Sequence, residues 1–348
     1  MKIITQNISA ELASYLSSNK YDKVFALTDE NTRLHCLPHI EQVLIAVDAE
    51  CITIEAGDTH KNITQVAAIW EKLSNSGASR HSLLINIGGG MVTDLGGFAG
   101  ATFKRGIHTL HIPTTLMAAV DAAVGGKTGI NFNGLKNEVG SFYLPDCVMI
   151  DCVFLKTLDR NNLLSGYAEM LKHGLISDSL SYRDVVSFDI NRPDMDGLSS
   201  LVSASVAIKE RIVTVDPKEA GIRKALNFGH TIGHALESLS FAKNAPILHG
   251  HAVAAGLVSE LYLSHKICTL PVGIVRQVAN FIKEHYPSFF FSCNDYDPIY
   301  ELMTHDKKNE GGQINFTLLC DIGDIRINQT IDKEMIFDSL DFYRETCL

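Results

Sequence analysis

The sequence predicts an α/β N-terminal Rossmann-like domain with a mostly parallel sheet, followed by a mainly α-helical C-terminal domain. Three observations predict it. Over the first 150 residues short apolar runs alternate with amphipathic stretches, the pattern of strands in a parallel sheet with helices on its faces. A strand-like segment runs into three glycines at 88–90. After about residue 155 segments of helical spacing take over. The chain has 348 residues, beyond the ~250–300 at which one core stops growing, so two domains are expected. Their bounds are set at 1–155 and 156–348.

In order along the chain, 24–27 (VFAL), 43–47 (VLIAV), 51–54 (CITI) and 83–87 (LLINI) read as strands. Between the last two, Ile63, Val66, Ala67, Trp70 and Leu73 recur at helical spacing. A helix is expected after the glycines, and strands at 107–112 and 148–150 continue the sheet. The second half reads as helices at 160–176, 198–214, 222–240, 249–266 and 271–285, with a short strand pair near 314–328. A crevice between the two halves is the expected place for a ligand.

Composition excludes several classes. The net charge of −10 argues against a general nucleic-acid or anionic-membrane surface. No apolar run approaches the ~20 residues of a membrane span, and the N-terminal MKIITQNISAEL has no apolar h-region. The eight cysteines (36, 51, 147, 152, 268, 293, 320 and 347) form no CxxC pair. Reduced thiols in a cytoplasmic protein are therefore expected.

The glycine turn carries the first chemistry. INIGGG at 85–90 brings a strand into Gly88, Gly89 and Gly90, and the segment after it is helical. Such a turn lets backbone N–H groups approach a pyrophosphate at a helix N-terminus. The spacing is not GxGxxG, so the turn alone is equally a tight strand-to-helix connection. Asp94 alone is no more than a carboxylate favoured by the helix dipole. Two further strand ends strengthen the nucleotide reading. Asp29 and Asn31 follow one strand, where an acid can hold a ribose hydroxyl, and Thr114 and Thr115 follow another.

The second constellation suits a metal. NFGHTIGH at 227–234 sets His230 and His234 four residues apart, on one helical face. LHGHA at 248–252 adds His249 and His251, and GYAEMLKH at 166–173 places Glu169 and Lys172 in an apolar helix. A lone HxxxH is more often a packed or surface pair. Three such segments together are harder to dismiss, because ionisable groups within apolar helices need partners. Histidine and carboxylate ligands suit zinc, and three of them leave coordination positions open.

Basic residues punctuate the same segments: Arg105, Lys127, Lys136 (next to Asn137), Lys172, Lys209, Arg223 and Lys307. Singly each is a solvated charge. Lys127 and Lys172, set among Gly, Ala, Val, Met and Leu, point to a local phosphate or carboxylate site. AAVGGKT at 122–128 lacks the GxxxxGK[ST] spacing and is not a P-loop.

Taken together these motifs resemble the 3-dehydroquinate synthases and related sugar-phosphate cyclases over nearly the whole chain. The residues that carry the resemblance are GGG…D at 88–94, KRG at 104–106, PTT at 113–115, VDAAVGGKTGIN at 120–131 and KN at 136–137. They continue with GYAEMLKHGLI at 166–176, RKALNFGHTIGHALE at 223–237, HGHAVAAGL at 249–257 and HDKKN at 305–309. The resemblance implies zinc, with cobalt as an alternative, held by Glu169, His230 and His249, while His234 faces a substrate phosphate. It implies substrate or phosphate ligands at Arg105, Lys127, Lys136, Asn137, Lys172 and Asn227, and a sugar contact at Asp121. Lys209, Arg223 and Lys307 would bind a carboxylate and neighbouring hydroxyls. NAD contacts fall on Asp29, Asn31, Asp58, Lys61, Gly89, Gly90, Asp94, Thr114, Thr115, Thr157 and Leu158, with Lys127 and Lys136 near the cofactor as well. A homodimer is implied, in which Arg105 reaches the neighbouring subunit.

Four positions depart from the family pattern. Thr93 stands in place of glycine, Asp58 of glutamate, Leu135 of glycine and His251 of glutamate. The implied reaction converts 3-deoxy-D-arabino-heptulosonate 7-phosphate to 3-dehydroquinate and phosphate, with transient oxidation by NAD. Two rivals are another sugar-phosphate cyclase and a metal-dependent NAD polyol dehydrogenase. A neutral alcohol, however, would need no such set of phosphate-binding cations.

Overall fold

The computed structural model describes residues 2–133, 135–304 and 313–348. The chain forms two compact units, Met1–Asp159 with Leu198–Val206, and Arg160–Gly197 with Ala207–Leu348.

In the first unit the strands are β1 (Lys2–Thr5), β2 (Val24–Asp29), β3 (Glu50–Ile54), β4 (Leu83–Gly88), β5 (His108–Pro113), the hairpin β6 (Lys127–Phe132) and β7 (Leu135–Phe142), and β8 (Cys147–Asp151). The helices are α1 (Ile8–Ser18), α2 (Glu30–His35), α3 (Glu41–Ala46), α4 (Ile63–Asn75) and α5 (Gly90–Thr102). Six strands form one sheet in the order β1-β8-β5-β4-β2-β3, and every pairing in it is parallel. Strand residues divide between two cores by alternation. Ala26, Ile85, Ile87, Leu110 and Met149 face the core that holds Leu12 and Leu16 of α1. Phe25, Leu27 and Leu84 face the core that holds Ile69 of α4 and Leu95 of α5. From the neighbouring strands β2 and β4 the chain leaves in opposite directions, to β3 and β5. This is the switch point at which open α/β sheets bind ligands. The carboxyl ends of β2 and β4 carry Asp29 and Gly88.

One segment corrects the sequence reading. Residues 43–47 look like a strand because Val and Ile suit strands, but they lie in α3 and its C-terminal cap. Leu37, Ile40 and Leu44 are buried while Ile45 is 64% exposed. A three-then-four burial spacing over a longer window outweighs local β-propensity.

The second unit is built from α6 (Arg160–Ser177), α7 (Ser179–Ser187), α8 (Met195–Val215), α9 (His230–Ala242), α10 (His249–Cys268), α11 (Val272–His285), α12 (Tyr296–Thr304) and α13 (Lys333–Cys347). Residues 198–206 of α8 group with the first unit. The antiparallel pair β9 (Phe316–Asp321) and β10 (Asp324–Gln329) completes it. The helix expected over 222–240 is split. A 3-10 segment spans Ile222–Asn227, and Gly229, left-handed at φ 79°, resets the chain before α9. Among the described residues no helix is long and apolar enough to cross a membrane. All eight cysteines carry free thiols.

Candidate active site

In the second unit the site rests on close approach of three helices. A Cβ on Gly250 would lie 1.9 Å from the Ser165 carbonyl oxygen. Only glycine allows this contact, and the Gly250 N–H donates to Ser165 Oγ at 3.1 Å. The first turn of α10 is thereby seated on α6. His249 precedes Gly250, and Glu169 lies one turn beyond Ser165, so the two side chains meet.

Glu169 is fully buried. Its Oε2 accepts a hydrogen bond from Lys172, which is also buried. Its Oε1 accepts no hydrogen bond, yet lies 3.4 Å from His230 Nε2 and 3.7 Å from His249 Nε2. On both imidazoles the far nitrogen is occupied. His230 Nδ1 is 3.1 Å from the Phe228 carbonyl oxygen, and His249 Nδ1 is 3.0 Å from Glu237 Oε2. Acceptors at Nδ1 put the proton there and leave Nε2 as a lone pair, the arrangement of metal-ligating histidines. Burial by itself would raise the Glu169 carboxyl. The Lys172 ammonium beside it overrules burial and holds the group well below the usual carboxylate range. The donor set therefore fits a divalent cation: an ionised carboxylate oxygen without a hydrogen bond, facing two imidazole lone pairs.

His234 stands beside this group, its ring centroid 5.3 Å from that of His230 and 5.7 Å from that of His249. Nitrogens of His230, His234 and His249 all lie within 4.8 Å of one another, so three imidazoles form a second possible ligand set. His251 is used otherwise. Its Nε2 is 3.0 Å from the Asn161 carbonyl oxygen, and its ring meets Tyr286 edge-on. Among the remaining expected residues of this unit, Lys209 and Arg223 are buried. Arg223 donates to the Pro217 carbonyl at 2.6 Å, and Asn227 donates to Glu219 Oε1 at 2.8 Å. Lys307 lies outside the described residues.

In the first unit the glycine turn is built as a cradle. Gly89 is the N-cap of α5, and no side chain caps that helix. A Cβ on Gly88 would lie 2.4 Å from the Val92 Cβ, and one on Gly89 would lie 3.0 Å from Thr115 Cγ2. The turn therefore keeps its backbone N–H groups open, as pyrophosphate binding requires. Thr93 fits in place of glycine because its hydroxyl folds back onto the Gly89 and Gly90 carbonyls at 3.3 and 3.2 Å. The Thr114 N–H donates to the Gly88 carbonyl at 3.0 Å, and Thr115 Oγ1 accepts from Ala118 N–H at 3.1 Å.

Lys61 draws several expected residues together. Its buried ammonium donates to Asp94 Oδ2 at 2.6 Å and to Asn137 Oδ1 at 2.5 Å. Lys136 Nζ lies 3.3 Å from Asp58 Oδ2, and Asn131 bridges the Asp58 carbonyl to the Asn137 N–H at 3.0 Å each. Asp29 uses Oδ1 to cap α2 through the Thr32 N–H at 2.7 Å, and Asn31 is exposed in the first turn of that helix. Thr157 Oγ1 donates to the Phe154 carbonyl at 3.3 Å, ahead of Leu158. Asp121 lies in a π-helical turn, Ala118–Ala122. Lys127 is exposed at the start of β6, and Arg105 is exposed with a left-handed φ of 67°. Leu135 is 57% exposed at the start of β7.

Sequence reasoning did not single out Glu237, Glu219 or Glu260. Glu237 could have been found, since it lies on the His230/His234 face of the same helix. Glu219 and Glu260 meet their partners only in the folded chain.

Solved sugar-phosphate cyclases share this fold. Over 99% of this chain and 96% of the other, the structure matches a 2-epi-5-epi-valiolone synthase from Streptomyces hygroscopicus, solved with NAD+ and Zn2+ bound, at a TM-score of 0.87 and 24% identity. With the same coverage it matches a 2-deoxy-scyllo-inosose synthase, complexed with carbaglucose-6-phosphate, NAD+ and Co2+, at a TM-score of 0.86 and 22% identity. The chain belongs to the 3-dehydroquinate synthase family: its N-terminal model matches residues 51–165 and its C-terminal model residues 166–309. A 3-dehydroquinate synthase of Parabacteroides distasonis is 66% identical over 99% of this chain and 98% of its own length.

Proposed function

We propose that this chain converts 3-deoxy-D-arabino-heptulosonate 7-phosphate to 3-dehydroquinate and inorganic phosphate, with NAD and a divalent metal, zinc or cobalt. The 66% identity to a 3-dehydroquinate synthase supports the reaction. The observation that carries the residue roles is the Glu169 oxygen that accepts no hydrogen bond and faces the Nε2 atoms of His230 and His249. These three residues hold the metal, and His234 is left for the substrate. When bound, NAD takes up and returns a hydride, and the metal polarises the alcohol oxygen being oxidised.

The chain's own residues supply the rest. The open N-terminus of α5 at Gly89 and Gly90 receives the cofactor's pyrophosphate, with Thr114 and Thr115 fixing the turn beside it. Asp29, Asn31, Asp58, Lys61, Asp94, Thr157 and Leu158 are the remaining cofactor contacts. Lys127, Lys136, Asn137, Lys172, Asn227 and Arg105 offset the charge of the departing phosphate. Lys209, Arg223 and Lys307 take the substrate carboxylate, and Asp121 a sugar hydroxyl. Family resemblance further supports a homodimer and a cytoplasmic biosynthetic role. The assay is phosphate release from the seven-carbon substrate, with metal and NAD omitted in turn. Release that survives either omission would overturn the proposal.

A further inference from the structure

We propose that Glu237 and Glu260 form a reciprocal carboxylate clamp, each fixing the imidazole contributed by the other's helix. The clamp rests on the metal reading above and deepens it. Glu237, on α9, reaches across to His249 on α10. Glu260, on α10, reaches back to the turn that begins α9.

Glu237 is 6% exposed, and its Oε2 lies 3.0 Å from His249 Nδ1. His249 is the first residue of α10, and its side chain is 34% exposed. A ring at a helix end with solvent on one side has several rotamers to choose from. Glu237 selects one and fixes the tautomer with Nε2 as the lone pair, 3.7 Å from Glu169 Oε1. The negative charge at Nδ1 also raises the basicity of Nε2.

Glu260 is fully buried, and a buried carboxylate must be satisfied. Its Oε2 accepts from the Gly229 N–H at 2.6 Å and its Oε1 from the Ile232 N–H at 3.1 Å. No side chain of α9's own N-cap is available, because that residue is Gly229 in the left-handed region. A carboxylate from the neighbouring helix takes its place, where it also meets the positive end of the helix dipole. His230 follows Gly229 directly, and its Nδ1 faces the carbonyl of Phe228, so the turn that Glu260 pins holds both the ring and its acceptor. The two rings then lie 5.4 Å apart, with Glu169 Oε1 facing both. Both glutamates are positioning residues, since each acts through a histidine rather than on the metal itself.

The test measures zinc affinity of the full chain by competition with a chromophoric chelator, and the visible absorption of the cobalt-substituted protein. Glu237→Ala should lower zinc affinity by about 10- to 100-fold and alter the cobalt spectrum. Glu237→Gln should restore part of the affinity, because its amide oxygen still accepts from Nδ1–H. For the second arm Glu260→Gln is used, since it can still satisfy one N–H and so preserve the fold. It should weaken zinc binding and shift the cobalt spectrum. Wild-type affinity and spectrum in Glu237→Ala, with zinc lost in His249→Ala, would overturn the Glu237 half alone. A Glu260→Gln protein that melts lower yet binds zinc as the parent does would reduce Glu260 to a helix cap and overturn its half. Zinc bound normally by His249→Ala would overturn the metal reading underneath.

Discussion

Lys172→Met removes the ammonium that Glu169 faces while keeping most of the aliphatic stem. The side chains of Lys172 and Glu169 are 1% and 0% exposed. An exposed pair at this helical spacing would be worth only ~0.2–0.5 kcal/mol. Breaking a buried pair from one side costs about 3–5 kcal/mol, because the remaining charge is left uncompensated. The metal-free variant should therefore lose about 3–5 kcal/mol at pH 7. The pH dependence follows from the sign of the shift. In the parent, burial raises the Glu169 carboxyl but the Lys172 ammonium holds it well below its ordinary value. Its folded pKa thus lies below the unfolded value of about 4.3. The associated stability is present above the unfolded value and lost as pH falls through the folded one. In the variant burial prevails and the folded pKa rises, so its deficit is largest at neutral pH and shrinks toward about pH 4 as the carboxyl is protonated. Zinc at Glu169 supplies the missing positive charge, so it should stabilise the variant by more than it stabilises the parent. Urea unfolding at pH 7 and pH 4, with chelator or with saturating zinc, measures all three. A metal-free deficit under ~1 kcal/mol at pH 7, a deficit unchanged at pH 4, or equal zinc increments would refute the reasoning.

Glu169→Ala, His230→Ala and His249→Ala should each abolish activity and strip zinc, whereas His234→Ala should lower activity and keep it. Metal analysis showing zinc lost in His234→Ala and kept in His249→Ala would move the ligand set to other residues. Gly96→Ala places a Cβ 2.0 Å from Asn86 Oδ1 and 2.7 Å from Leu27 Cδ2. Overpacking of about 1–3 kcal/mol should outweigh the helix-propensity gain of about 1 kcal/mol. A variant that melts above the parent would contradict this packing of α5 on the sheet.

The alternation of apolar runs made the parallel sheet legible, because each strand buried on both faces must be continuously hydrophobic. In the second unit α6, α8, α9, α10 and α11 were legible from their period, whereas α7, α12 and α13 were not read. The strand reading of 43–47 failed because burial there follows a three-then-four spacing through Leu37, Ile40 and Leu44, which leaves the β-branched Ile45 exposed. The break at Gly229 was hidden inside a run of helical spacing. Its left-handed turn is held by Glu260 of another helix, a contact no local window contains. The hairpin of β6 and β7 escaped notice because glycine and lysine obscure its alternation, although it presents Lys127, Lys136 and Asn137. At the candidate site, residue types were legible and partners were not. The pairing of Lys61 with Asp94 and Asn137 spans 33 and 76 residues.

In the proposed reaction oxidation is an intermediate step, and the hydride returns to the substrate after phosphate has left. This return is tested most directly by following reduced nicotinamide absorbance together with phosphate release, with substrate in large excess over NAD. Many phosphates should be released for each NAD present, with reduced cofactor never exceeding the concentration of enzyme sites. Reduced cofactor that rises in step with product and stops when NAD is exhausted would show a net dehydrogenase and contradict it.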